Sequence, residues 1–301
     1  MEATVISYAY NDDQGWGDLL TSYNGKTINY DAVGNPTGDG TRTYEWQHGR
    51  QLKKLTQNGV TWTFTYNADG LRTQRTDGTN TYTYVYNGDK LSQMTINNNG
   101  TVRDLRFSYD ASGLPVSVTV SQNNAGSIYY YVTNVQGDVI ALTNSSGTEV
   151  VTYTYDAWGN LLSIGGSFKN GLGIRNPLRY RSYVYDTETG LYYLQSRYYN
   201  PEIGRFINAD ALTSTGQGVL GNNMIAYCNN NPINFQDNEG MRMEYVGFDR
   251  GGPVGFPSSS SVSKITPPSS KEKAVALPLE FGVVSESVPV PGGTMTAVLL
   301  S

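Results

Sequence analysis

The sequence predicts an all-β protein assembled from successive hairpins, and three observations carry that expectation. The first is composition: 34 glycines and 24 tyrosines stand among 301 residues of which only 16% are charged, the usage of strands and tight turns. The second is alternation at period two, as in Thr61-Trp62-Thr63-Phe64-Thr65-Tyr66 and Val150-Val151-Thr152-Tyr153-Thr154-Tyr155, which sorts aromatic and β-branched side chains onto opposite faces of a strand. The third is an internal repeat, in which tyrosine is followed by Asp or Asn, a few variable residues, and glycine.

The clearest copies are Tyr30-Asp31-Ala32-Val33-Gly34, Tyr66-Asn67-Ala68-Asp69-Gly70, Tyr109-Asp110-Ala111-Ser112-Gly113, Tyr155-Asp156-Ala157-Trp158-Gly159 and Tyr185-Asp186-Thr187-Glu188-Thr189-Gly190. From Tyr66 onward they recur at about 20 to 30 residues, the period of a stacked supersecondary unit. Each copy reads as strand, turn and return strand. The Asp or Asn side chain bonds the backbone that follows it, and glycine accepts a positive φ without a Cβ clash. The return strand then opens on Leu or Val, as at Leu71, Leu114 and Val139. One hairpin is marginal alone, whereas stacked hairpins set tyrosines in cross-strand ladders worth on the order of 0.2–1 kcal/mol per pair.

Charge and rare residues narrow the function. The formal charge is −5 with no basic run, so the footprint that nucleic-acid binding needs is missing and no nucleic-acid partner is expected. A single cysteine, Cys228, forms no intrachain disulfide, and a single histidine, His48, offers no cluster for a metal. No cofactor or metal is expected. The opening Met1-Glu2-Ala3-Thr4-Val5-Ile6 lacks the basic and apolar regions of a signal peptide, and no run approaches the roughly 18 apolar residues of a membrane span.

The repeats resemble the YD repeats of rearrangement-hotspot (RHS) proteins and of the related wall-associated proteins of Gram-positive bacteria. The most specific segment runs from Tyr180-Arg181-Ser182-Tyr183 through Tyr192-Tyr193-Leu194-Gln195-Ser196-Arg197-Tyr198-Tyr199-Asn200-Pro201 to Gly204-Arg205-Phe206-Ile207, and is similar to the RHS repeat-associated core. The resemblance covers roughly residues 5 to 240. It implies a spiralling antiparallel sheet that forms a shell around a C-terminal polypeptide, with the core closing one end. It also implies aspartate-dependent self-cleavage, at most a single-turnover autoprotease activity.

On that resemblance the catalytic pair corresponds to Asp210 and Asp237, with Arg205 a third candidate, and the cut falls between Met241 and Arg242. Metal-free peptide hydrolysis can use two carboxylates sharing one proton, one activating water and the other protonating the carbonyl. The bland role for each aspartate is turn capping. Two departures weaken the implied activity: Ala211 and Asn238 stand where the family has proline. Losing proline frees the backbone at each aspartate.

Three domains follow: a YD-repeat hairpin array over 1–178, the repeat-associated core over 179–241, and a variable tail over 242–301. The tail is linker-like through Pro257-Ser258-Ser259-Ser260-Ser261 and Pro267-Pro268-Ser269-Ser270, expected to be partly disordered, and returns to apolar residues with room for one or two strands. It has no His and no Cys, which excludes a His-metal nuclease or a zinc deaminase within it. About eight repeats are too few to close a shell, so an aromatic face is expected to stay partly open. The leading expectation is an encapsulating module of a secreted or cell-surface polymorphic-toxin-type protein, its partner the enclosed or adjacent C-terminal polypeptide. The alternatives are a surface module binding glycan or protein, and an inactive remnant.

Overall fold

The computed structural model describes residues 4–10, 19–122, 125–209, 225–238, 240–241, 244–245 and 294–299. Its centre is a 14-stranded sheet in which consecutive strands, from Asn29–Tyr30 to Leu161–Gly165, pair antiparallel in sequence order. The all-β expectation and the hairpin repeat are both borne out. Alternation sets the faces: in Val60–Tyr66, Trp62 and Phe64 are buried while Thr61, Thr63 and Thr65 are exposed.

The turn chemistry recurs with little variation. At Asp31, Asn67, Asp110, Asn134, Asn144 and Asp156 the side-chain Oδ1 accepts the amide of the residue four positions on, at 2.9–3.0 Å. The amide of the same Asp or Asn donates back to the carbonyl of that fourth residue at 2.9–3.1 Å, closing the turn. Glycine is required between them because φ there is +78 to +86°, as at Gly70, Gly113 and Gly159. Asn134 and Asn144 make the same turn with no tyrosine before them.

A second bond joins each hairpin to the one before it. A bulge sits one residue before the turn, between Thr65 and Tyr66, Val85 and Tyr86, Ser108 and Tyr109, and Thr154 and Tyr155. It takes the opening residue of each return strand out of regular register. The next repeat's tyrosine hydroxyl then donates to that residue's carbonyl: Tyr66 to Leu52, Tyr86 to Arg72, Tyr109 to Leu91 and Tyr155 to Val139, at 2.8–3.0 Å.

The core segment departs from a continuous spiral. Val184–Asp186, Leu191–Leu194, Arg197–Asn200 and Arg205–Phe206 form their own 4-stranded sheet. Leu172, Leu178, Val184, Leu191, Tyr193, Tyr198 and Ile207 pack into the same buried cluster as Leu52, Phe64, Tyr84, Leu105, Val118 and Leu142 of the large sheet. The aromatic face expected to stay open is therefore covered by the chain's own core. A cavity of about 290 Å³ lies between them, lined in part by Arg75, Tyr84, Met94, Arg175 and Glu188.

A buried ion pair fixes the core on the sheet. Arg72 and Asp186 are 0% and 1% exposed; Arg72 Nη2 donates to Asp186 Oδ1 at 2.9 Å, and Arg75 Nε lies 3.3 Å from the same oxygen. The Arg72 guanidinium also lies 4.5 Å and 4.7 Å from the ring centres of Tyr193 and Tyr84. The N-terminal strand Thr4–Tyr10 belongs to a separate sheet, between Leu20–Tyr23 and the tail strand Thr294–Leu299. The predicted linker lies outside the described residues.

Asp186→Ala strands the buried Arg72 guanidinium, while Arg75 keeps Glu188 at 2.7 Å, and should cost about 3–5 kcal/mol, read as a lower urea midpoint; an unchanged midpoint would show that the pair does not anchor the core. Burial raises the phenol pKa of Tyr66, Tyr86, Tyr109 and Tyr155, whereas an unfolded chain titrates them at about 10. The stabilisation is fully present below the unfolded value and is lost as pH rises from there through the folded values. Thermal unfolding at about pH 11 should give a lower Tm than at about pH 8, and equal values would mean that the phenols ionise freely in the folded protein.

Candidate processing junction

The tight hairpin Leu191–Leu194/Arg197–Asn200 presents the groups that meet the segment after Asn231. Arg197 is 6% exposed and stacks 3.6 Å from the ring centre of Phe206. That packing aims its guanidinium: Nη2 donates to Asp237 Oδ2 at 2.9 Å, and Nε donates to the Gly240 carbonyl. Ser196 Oγ donates to the same carbonyl at 2.6 Å. Gly240 has φ +69°, and a Cβ there would lie 2.7 Å from the Leu194 carbonyl and 2.8 Å from Ser196 Oγ.

Asp237 is 2% exposed. Its Oδ1 accepts the Met241 amide at 3.0 Å, so Asp237-Asn238-Glu239-Gly240-Met241 repeats the side-chain cap of the wall turns. The closing bond differs. The Asp237 amide donates to the Tyr183 hydroxyl at 2.9 Å, and that hydroxyl lies 3.2 Å from the Tyr227 hydroxyl. Cys228 sits beside this cluster with its thiol pKa pushed up, by burial first and by the Asp237 charge second. It is thereby disfavoured as a nucleophile.

The sequence candidates fall out unequally. Asp237 is in the junction and Met241 follows it, 44% exposed. Asp210 and Arg242 lie outside the described residues. The chain reaches position 210 from Asn208, which is 1% exposed and accepts the Tyr198 amide at 3.2 Å, one residue from Arg197. Arg205 is directed elsewhere: its guanidinium bonds the Tyr10 hydroxyl and lies 5.2 Å from that ring's centre. The guanidinium on Asp237 belongs to Arg197, which sequence reasoning did not single out. The signal lay in Ser196-Arg197-Tyr198-Tyr199, where an arginine directly after a tight turn shares a strand with core tyrosines.

Other candidates are accounted for by packing. Trp62 is 4% exposed, Trp46 donates to the Pro36 carbonyl at 2.6 Å, and Trp158 lies under Gly204. His48 occupies a turn at φ +47° and pairs with Gln51. Among the described residues no group of three or more His, Cys, Asp or Glu side chains is placed to hold a metal, and no helix is long and apolar enough to cross a membrane.

The Teneurin YD-shell family model matches residues 117–233. The tRNA3(Ser)-specific nuclease WapA of Bacillus spizizenii is 38% identical over 224 residues, 73% of this chain and 9% of that protein. The tRNA nuclease WapA of Bacillus subtilis strain 168 is 37% identical over 226 residues, with the same shares. The chain thus spans 9% of the length of these relatives. Among solved structures, a TcdB2–TccC3–TEV crystal structure superposes with a TM-score of 0.58 at 17% identity, and the Photorhabdus luminescens Tc holotoxin pore with 0.60 at 18%. Each superposition covers 78% of this chain and 13% of the other, and at these identities the likeness is one of fold. With these matches the chain belongs to the RHS/YD-repeat proteins.

Proposed function

We propose that this chain is an encapsulating module of an exported, RHS-type toxin protein, and that it processes itself between Met241 and Arg242. The observation that carries the reading is the clamp on the junction: Arg197, Ser196 and Asp237 together hold both sides of the Gly240–Met241 peptide within a buried cluster. The partner is the polypeptide C-terminal to the junction, sheltered by the shell until it is released. WapA relatives are named as nucleases, and in this reading such an activity belongs to the cargo, not to the shell.

The chemistry requires a second carboxylate, which Asp210 supplies. One member of the pair takes a proton from water as it attacks the Met241 carbonyl carbon. The other gives its proton to the carbonyl oxygen; as the resulting diol collapses it takes a proton back from a diol hydroxyl, and the first member passes the proton it took from water to the departing amine of residue 242. Arg197 orients Asp237 through its Nη2. A second reading has its own support: both Asp237 oxygens are already engaged, by Arg197 and by the Met241 amide, which suits a turn cap in an inactive remnant.

Time-resolved mass spectrometry separates the two. Self-processing yields a fragment ending at Met241, abolished by Asp210→Asn or Asp237→Asn, while proline at position 238 raises the rate. A chain that stays whole under every condition, or a cut that survives in both asparagine variants, rejects the proposal. Gly240→Ala places a Cβ against the Leu194 carbonyl and should slow processing at least about tenfold through displacement of the junction, with a modestly lower urea midpoint because alanine is strained at φ +69°. Undiminished cleavage in that variant would show that the clamp plays no part.

A further inference from the structure

We infer that Tyr183 is a positioning residue that holds the junction turn open, an inference that rests on the processing reading above. In the wall turns the Asp or Asn amide closes onto the carbonyl four residues on, as Asp156 does onto Asn160 at 3.1 Å and Asn67 onto Leu71 at 2.9 Å. The residue before the turn then pairs with the one five positions past the Asp or Asn: Tyr155 with Leu161, Tyr66 with Arg72. At the junction the side-chain cap is the same but the Asp237 amide goes to the Tyr183 hydroxyl, and Gln236 pairs with Glu244, two positions later.

An amide hydrogen satisfies one strong acceptor at a time, so the two geometries exclude each other. In the closed form the Met241 carbonyl would accept the Asp237 amide, and Gln236 would pair with residue 242. The bond to be cut would then lie inside a β-ladder. A slip of two residues keeps every side chain on its face, so the closed register is a close competitor in energy. Tyr183 decides between them. Its hydroxyl is held by packing against Tyr180 and Tyr192 and by the Tyr227 hydroxyl, and the residue is 5% exposed. Capturing the Asp237 amide leaves the Met241 carbonyl outside the ladder, where water and a carboxylate can reach it.

Tyr183→Phe in the full chain tests this, with Tyr192→Phe as the control. Tyr192 lies in the same cluster, and its hydroxyl bonds the Gly159 carbonyl. Two readouts are followed: self-processing after Met241, and scission after Arg242 by added trypsin, which reports loop opening whether or not the chain cuts itself. Tyr183→Phe should slow both about tenfold, the effect of losing one buried hydrogen bond, without moving the pH profile of processing, because the hydroxyl does not exchange the proton used in hydrolysis. Tyr192→Phe should leave both rates within about twofold of the parent protein. If the parent is never self-processed but trypsin still separates Tyr183→Phe from it, the processing reading fails and the open turn stands. Equal trypsin rates in the parent and Tyr183→Phe overturn the inference.

Discussion

The bond from each repeat's tyrosine hydroxyl to the previous hairpin's return strand is the interaction on which the architecture depends. A long antiparallel sheet of identical hairpins has no intrinsic register beyond its neighbours, and slippage would carry the aromatic face to the solvent side. Here the bulge before each turn takes one carbonyl out of the regular ladder, at Leu52, Arg72, Leu91 and Val139, and one hydroxyl is positioned to take it. A buried carbonyl left unpaired costs about 1–3 kcal/mol, so the correct neighbour is favoured and a shifted one penalised. Tyrosine suits the position because its ring fills the apolar face while its tip answers a polar group.

The core uses the same currency to dock. Tyr192 donates to the Gly159 carbonyl, Ser182 Oγ to the Gly137 carbonyl, and the Arg181 amide to Asp138 Oδ1, so turn backbone and the residue beside it become the landing points of the 4-stranded sheet. Arg72 and Asp186 add the charge pair at the other end of the contact. Such a pair is poor evidence of net stability, because desolvation offsets most of its attraction. Its effect is on specificity: a core shifted by one residue would bury the Arg72 guanidinium without its carboxylate.

The repeat was legible because its signal is local. Asp or Asn, glycine and tyrosine at fixed spacing each answer to one turn geometry, and the structure places them as that geometry requires at Asp31, Asn67, Asp110 and Asp156. What escaped was long-range. Tyr185-Asp186 reads as another repeat, yet Asp186 pairs with Arg72 across 114 residues instead of capping a wall turn. Arg205 and Arg197 are equally plausible partners for Asp237 along the chain, and the choice is made by Phe206 under one guanidinium and Tyr10 beside the other. The turn Cys228–Asn230, with φ of +50 to +59° at each residue, was likewise hidden, since only its asparagines tolerate that region readily.

A junction made from the fold's own repeat carries a conflict that explains its departures from the wall. Capping asks that the carboxylate be fully satisfied and the turn closed, whereas hydrolysis asks for a carboxylate able to exchange a proton and a carbonyl free of the ladder. Asp237 keeps the cap to Met241 but passes its amide to Tyr183 and its second oxygen to Arg197. The turn is thereby held by the core, not by its own backbone, and its geometry depends on the core being seated. Under the proposed processing, a segment shaped only by a seated core would be cut after folding is finished, so the order of folding and release would follow from where these hydrogen bonds go.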